Sequence, residues 1–331
     1  MGVKWTPRIE LDDIFPSFIL ANATRVSKVT LPPRYLGDPW GSVGIRVVTE
    51  TPNSTVSVSI SIDDLVETAA SSYQLEVPGE YVISPKILYR FDKLRSVLEP
   101  RPVNIVWSVK VNDQAAEKQI RTVRLRSVFD APLQLAGSGS PRDLSYVFAA
   151  FVTEDAPWID KLMHEVLVRG NVKAFTGYQS GPRAAINQVE AIYDTLQRRG
   201  VKYSSITTSS ASQERVASQV VRFPLDSVNN AQANCVDGTV LMASVLRKIG
   251  MNPSIVLGPG HAMLSFSNSE DPKDGFTVVE TTMIGTKGFR EAVNAGAARY
   301  ADWQVKHRQD GQMKTINIAR ARDAGIMPIP R

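Results

Sequence analysis

The hydrophobic period of this chain changes once, near residue 140, and that change constrains the fold more than any other feature. From residue 42 to 129 apolar side chains recur at every second position. Thr55-Val56-Ser57-Val58-Ser59-Ile60-Ser61-Ile62 is the clearest case, with Val56, Val58, Ile60 and Ile62 on one face. A period of two puts one side of a strand on a core and the other in water. Gly44-Ile45-Arg46-Val47-Val48, Tyr81-Val82-Ile83, Ile87-Leu88-Tyr89, Val103-Asn104-Ile105-Val106-Trp107-Ser108-Val109-Lys110-Val111 and Thr122-Val123-Arg124-Leu125-Arg126-Ser127-Val128 continue the pattern. Turn signals separate them: Thr51-Pro52-Asn53, Val77-Pro78-Gly79, Pro100-Arg101-Pro102 and Val111-Asn112-Asp113. Regularly spaced short strands with few helices predict an immunoglobulin-like β-sandwich over residues 41–135. Residues 1–40 carry Trp5, Pro7, Ile9, Ile14, Phe15 and Phe18, too apolar for a free tail. They predict an irregular, extended segment packed on the body.

Leu135-Ala136-Gly137-Ser138-Gly139-Ser140-Pro141 is a linker by composition. Beyond it the period becomes helical. Asp143 is placed to cap a helix carrying Leu144, Val147, Phe148 and Phe151. Asp155-Ala156-Pro157 opens another over Trp158, Ile159, Leu162, Met163, Val166 and Leu167. Pro182 opens a third over Ile186, Val189, Ile192, Tyr193 and Leu196, which Gly200 ends. The fold class is therefore α+β, with an all-β module ahead of a mixed domain over residues 140–331. Thr286 through Trp303 reads as a late helix over Phe289, Val293, Ala297 and Tyr300. Lys314-Thr315-Ile316-Asn317-Ile318 reads as a final strand, and the last residues, 326–331, as a loose end.

The 331 residues hold one cysteine, Cys235, and three histidines, His164, His261 and His307. One thiol excludes an internal disulfide. A His/Cys zinc site would need nearly every such residue in the chain, so no metal or other cofactor is implied. The 38 Lys+Arg against 33 Asp+Glu give +5, spread without a dense basic run. This reads as a solvated surface with no nucleic-acid partner. Residues 14–21 form one of the longest apolar runs, too short and interrupted by Pro16 to span a bilayer. As given, the chain reads as soluble and cytoplasmic, or exported where a targeting segment precedes it. Nothing in it signals an oligomeric state.

The chemistry concentrates between residues 219 and 285. Asn234-Cys235-Val236-Asp237-Gly238-Thr239-Val240-Leu241 begins a helix whose apolar positions Val236, Val240, Leu241, Val245 and Ile249 follow helical spacing. Gly250 and Pro253 are its stop signals. Cys235 thus lies in a first helical turn, where free N–H groups and the positive dipole end favour thiolate over thiol and can hold an oxyanion. Asp237, two residues on, adds favourable charge to that turn. Two strands follow, Ser254-Ile255-Val256-Leu257-Gly258 and, past Pro259-Gly260, His261-Ala262-Met263-Leu264-Ser265-Phe266. A turn at Asp271-Pro272-Lys273-Asp274-Gly275 sends back Phe276-Thr277-Val278-Val279-Glu280-Thr281. Antiparallel pairing across that turn brings Glu280 beside His261. A thiolate attacker, an imidazole to move the proton and an acid to fix its tautomer are the parts acyl transfer needs. His164 falls among Leu and Met positions of a helix and reads as a surface histidine.

These residues also carry a resemblance. The run from Asn234 through Pro253, then Gly260-His261-Ala262-Met263-Leu264-Ser265-Phe266, then Val279-Glu280-Thr281-Thr282, resembles the core of the transglutaminase-like superfamily. It is most similar to the bacterial transglutaminase-like cysteine peptidases, and Gln219-Val220-Val221-Arg222-Phe223-Pro224 resembles the segment before their nucleophile. The resemblance covers residues 145–300. It implies a papain-like fold and a triad in the order Cys235, His261, Glu280, with Gln219, and behind it Gln232, as the second oxyanion donor. Asn234 and Asp237 would support the nucleophile. Met263 stands where many members have tryptophan, Asn234 where glycine or aspartate is common, and Glu280 where aspartate is commoner. The expected activity is hydrolysis of a protein or peptide substrate through a thioester. The alternatives are transglutaminase-type cross-linking or deamidation, and a silent peptide-binding scaffold.

Overall fold

The computed structural model describes residues 3–25, 30–137, 139–205, 215–307 and 310–330. Met1, Gly2, Ser138 of the expected linker and Arg331 of the expected loose end lie outside the described residues. Helix (31%) and strand (32%) are nearly equal, which makes the chain mixed α+β with several sheets. It divides into two compact units, Met1–Arg142 with Ser212–Ala217, and Asp143–Ala211 with Ser218–Arg331.

The first unit holds two four-stranded sheets. One runs Ala69–Leu75, Ser54–Ile62, Arg101–Val111, Glu117–Leu125, antiparallel throughout. Burial alternates along Ser54–Ile62 as its period of two requires. The other runs Lys4–Ile9, Val43–Thr49, Gly79–Ser84, Tyr35–Gly37, its last strand parallel to its neighbour. Val56, Val58, Ile60, Ile105 and Trp107 of the one sheet share a cluster with Val43, Ile45, Val47 and Ile83 of the other. Trp107 is fully buried, and its indole N–H donates to the Gly44 carbonyl at 2.9 Å, so its one polar atom is satisfied.

Two local expectations change here, and one strand went unread. The N-terminal stretch is not irregular: Lys4–Ile9 is a strand on the edge of its sheet, and Pro16–Asn22 is a helix. Pro7 argues against a strand interior, but an edge position tolerates a residue without an N–H. Ala69–Leu75 is an edge strand that its serines concealed. Ile87-Leu88-Tyr89, preceded by Pro85, forms no strand and contributes one bridge, Val66 to Tyr89.

In the second unit, helices Pro157–Val168 and Pro182–Arg198 open at the expected prolines. Ser145–Phe151 is a 3-10 helix rather than an α-helix. It is buried on nearly every side, so no single apolar stripe sets its period. Helix Cys235–Lys248 packs on a sheet ordered Phe276–Val279, His261–Ser267, Pro253–Gly258, Lys314–Asn317. All three pairings are antiparallel. Helix Phe289–Lys306 lies on the Phe276–Val279 edge. The C-terminal stretch is docked rather than loose. Ile326 and Ile329 are buried, the Ile329 N–H donates to the Ala150 carbonyl at 2.8 Å, and Arg322 donates to the Ile326 carbonyl at 2.6 Å. Pro328 and Pro330 line a cavity of about 680 Å³ with Trp158 and Phe223. Among the described residues no helix is long and apolar enough to cross a membrane.

Candidate active site

Cys235 is the first residue of its helix and is partly exposed. Asn234 caps the helix: its side-chain oxygen accepts from the Asp237 N–H at 2.8 Å, and the Asp237 carboxylate accepts from the Asn234 N–H at 3.0 Å. This reciprocal box satisfies two of the free donors at the helix start. Asp237 is wholly buried and also accepts from the backbone N–H and the guanidinium of Arg222, at 2.8 and 3.1 Å. Burial is the largest influence on its carboxyl and raises it above the ordinary value, while the bonds from Asn234 and Arg222 pull the other way. On the other flank, Thr239 donates to the Cys235 carbonyl at 2.7 Å and Thr281 at 3.4 Å. Thr281 sits against Gly238, where a Cβ would come within 3.1 Å of its hydroxyl.

The hairpin Pro253–Gly258 to His261–Ser267 closes over two residues, Pro259 and Gly260, with Gly258 opposite His261. In the next pair Leu264 faces Val279. That pair is the last of the ladder, and Glu280 follows it as the residue that caps the short 3-10 turn Thr281–Met283. From there its side chain reaches His261. The His261 Nε2–H donates to both carboxylate oxygens, at 3.0 and 2.8 Å. Because a carboxylate only accepts, the proton belongs on Nε2, which leaves Nδ1 for the other partner of the ring, Cys235. Burial alone would lower the imidazole, but its hydrogen bonds to Cys235 and Glu280 and its electrostatic interactions with them outweigh this and push it up to about 9.

Glu280 is almost fully buried. It also accepts from the Thr282 hydroxyl at 2.6 Å and the Thr282 N–H at 3.3 Å, and Arg299 lies 3.4 Å away. Burial would raise this carboxyl. The bonds from His261 and Thr282 and the charges of His261 and Arg299 hold it below its ordinary value instead. Arg299 comes from helix Phe289–Lys306, which approaches the sheet at Gly296. A Cβ there would sit 2.7 Å from the Val278 carbonyl. One turn beyond Arg299, buried Trp303 meets the His261 ring edge-on, centroids 6.1 Å apart.

Gly258 makes room for that indole, since a Cβ would come within 2.5 Å of the Trp303 ring. Gly258→Ala is therefore expected to destabilise the protein by about 1–3 kcal/mol through overpacking. The check is the urea midpoint of unfolding. An unchanged midpoint would mean that Trp303 moves aside without cost.

The structure thus brings Cys235, His261 and Glu280 together, with Asn234 and Asp237 forming the cap beneath the cysteine. It does not join the two expected oxyanion donors to them. The Gln219 amide, on strand Val216–Val220, donates to the Val220 carbonyl at 3.0 Å, and Gln232 is exposed on the short strand Gln232–Ala233. Among the described residues neither amide is hydrogen-bonded to the triad. His164 is exposed on its helix, and His307 pairs with Asp310 at 3.0 Å. Arg222, Thr281, Thr282, Arg299 and Trp303 went unassigned from sequence. Thr281 and Thr282 stood beside Glu280, and Arg299 and Trp303 share helical spacing of four, so those signals were present but unspecific. Among the described residues no group of three or more His, Cys, Asp or Glu is placed to hold a metal ion.

No protein-family model matches the chain, and a search of curated proteins likewise found no match.

Proposed function

We propose that this protein is a cysteine-dependent acyl-transfer enzyme acting on protein or peptide substrates, most simply as a peptidase or amidase. The second unit is read as a papain-like, transglutaminase-like domain. The first is read as an immunoglobulin-like β-sandwich that selects the substrate. What supports the reading above all is the His261 imidazole, held between the Cys235 side chain and the buried Glu280 carboxylate. That arrangement keeps the ring protonated through neutral pH and lets a thiolate and an imidazolium stabilise each other.

The steps follow from the geometry. The Cys235 thiolate attacks the carbonyl carbon of a carboxamide, and an oxyanion forms against the N–H groups of the helix start. Gln219 is proposed as a further donor once its amide turns from the Val220 carbonyl. The His261 imidazolium gives its Nδ1 proton to the departing nitrogen, the C–N bond breaks, and a thioester remains. Neutral His261 then takes a proton from water, which attacks the thioester. The C–S bond breaks and releases a carboxylic acid and the thiolate. Glu280 holds the ring through Nε2 in each step.

Alkylation kinetics test the pairing. Cys235 is expected to react with iodoacetamide at pH 6 at least about tenfold faster than a free cysteine thiol, whose ordinary value lies near 8.5. His261→Ala should abolish the advantage. A wild-type profile that follows free cysteine would sink the proposal. Mass spectrometry of the single cysteine peptide gives the rate directly.

A further inference from the structure

We infer that Asp237 and Arg222 are positioning residues: together they form a buried clamp that sets the Cys235 turn in register with His261. The inference rests on the acyl-transfer reading and goes beyond it. A capping box needs only an acid at the third helical position reaching back to the cap, and that acid is ordinarily solvated. Here the acid is fully buried, which is unfavourable for a carboxylate unless its lone pairs are met by charge and hydrogen bonds. The cap uses one bond, from the Asn234 N–H at 3.0 Å. Two more come from Arg222, fifteen residues earlier: its backbone N–H at 2.8 Å and its guanidinium at 3.1 Å. Helix initiation does not require them. They tie the helix start to the segment that leaves strand Val216–Val220, the strand that carries Gln219.

The opposite flank of the turn is held independently. Thr281 and Thr239 both donate to the Cys235 carbonyl, and Thr281 directly follows Glu280. The nucleophile's turn is therefore bracketed. One bracket leads to the acid that orients His261, and the other leads through Asp237 to Arg222. Releasing the second leaves the first in place and lets the sulfur drift from the imidazole, which reactivity reads at once because proton transfer and charge pairing fall off steeply with misplacement.

Alkylation of the full chain by iodoacetamide across pH 5–9 tests this, because it reports the Cys235–His261 pair without a substrate. Asp237→Asn keeps the shape of the side chain but sets an amide N–H against a donor. It is expected to lose at least about tenfold of the His261-dependent rate at pH 6. Arg222→Ala, which keeps the backbone bond and so guards against an unfolded Asp237→Asn protein, should lose about half of that effect on a logarithmic scale. Arg222→Lys should recover most of it. Far-UV circular dichroism and the thermal midpoint establish that each variant is folded. If folded Asp237→Asn and Arg222→Ala both give the wild-type pH profile while His261→Ala abolishes it, the clamp is overturned and the nucleophile stands. If wild type itself shows no His261-dependent rate, the acyl-transfer reading fails and the clamp with it.

Discussion

Cys235→Ala is expected to remove turnover by at least about 10⁴-fold and to leave the protein folded. The magnitude is that of deleting a covalent nucleophile whose partners act only through it. It corresponds to about 5.5 kcal/mol of transition-state stabilisation. The fold should hold because Cys235 is partly exposed and sits at the first helical position. Alanine suits that position, and the cap at Asn234 and Asp237 uses none of the sulfur. The measurement is the appearance of new N-termini in a proteome-derived peptide mixture, wild type against Cys235→Ala, with urea unfolding as the control. Equal release from both proteins would remove the thiol from the mechanism. Because the chain has one cysteine, no second thiol can substitute and blur the result.

The second large effect is in pH. His261 stands at about 9 in the folded protein against an ordinary 6.5. Its value is raised on folding, so the stabilisation it contributes is fully present below about pH 6.5 and is lost as pH rises through about 9. The window gives a contribution on the order of 3 kcal/mol at low pH, which disappears above the window. The difference in unfolding free energy between wild type and His261→Ala should therefore shrink steadily between those limits. Turnover should decline over the upper part of the same window as the imidazolium loses the proton it gives to the leaving nitrogen. Glu280→Gln keeps a hydrogen-bond acceptor but removes the charge, so it should bring the imidazole down from 9. An NMR titration of the His261 ring measures this in both proteins. A ring titrating near 6.5 in wild type would show that neither Cys235 nor Glu280 holds it charged.

The meeting of Cys235, His261 and Glu280 was legible before the fold because each of them is announced by its own short neighbourhood. Asn234 and Asp237 mark a helix start within four residues. Pro259-Gly260 marks the hairpin before His261, and Asp271 through Gly275 marks the turn that returns Glu280. The register between the last two strands follows from that turn, so the His261–Glu280 contact is a short-range consequence. The same locality explains the errors. Strand Lys4–Ile9 carries Pro7, which an edge position permits, and the serines of Ala69–Leu75 masked a strand at the margin of a sheet. The C-terminal residues 326–330 offered too few periodic positions to signal docking, yet Ile326 and Ile329 are buried.

Local order along the chain settled the change of period near residue 140, the α+β class, and which cysteine, histidine and glutamate could meet. Hydrophobic period, caps and turns act over two to five residues, so they are written in consecutive letters. What surrounds those three groups was set by packing over longer distances. Arg222 reaches Asp237 across fifteen positions, Arg299 and Trp303 reach Glu280 and His261 from a later helix, and Gly296 and Gly258 matter only because a carbonyl and an indole press on them. No local propensity encodes such a meeting. It follows from how buried faces fit and from the requirement that each buried charge find a partner, and both are decided when the chain closes on itself.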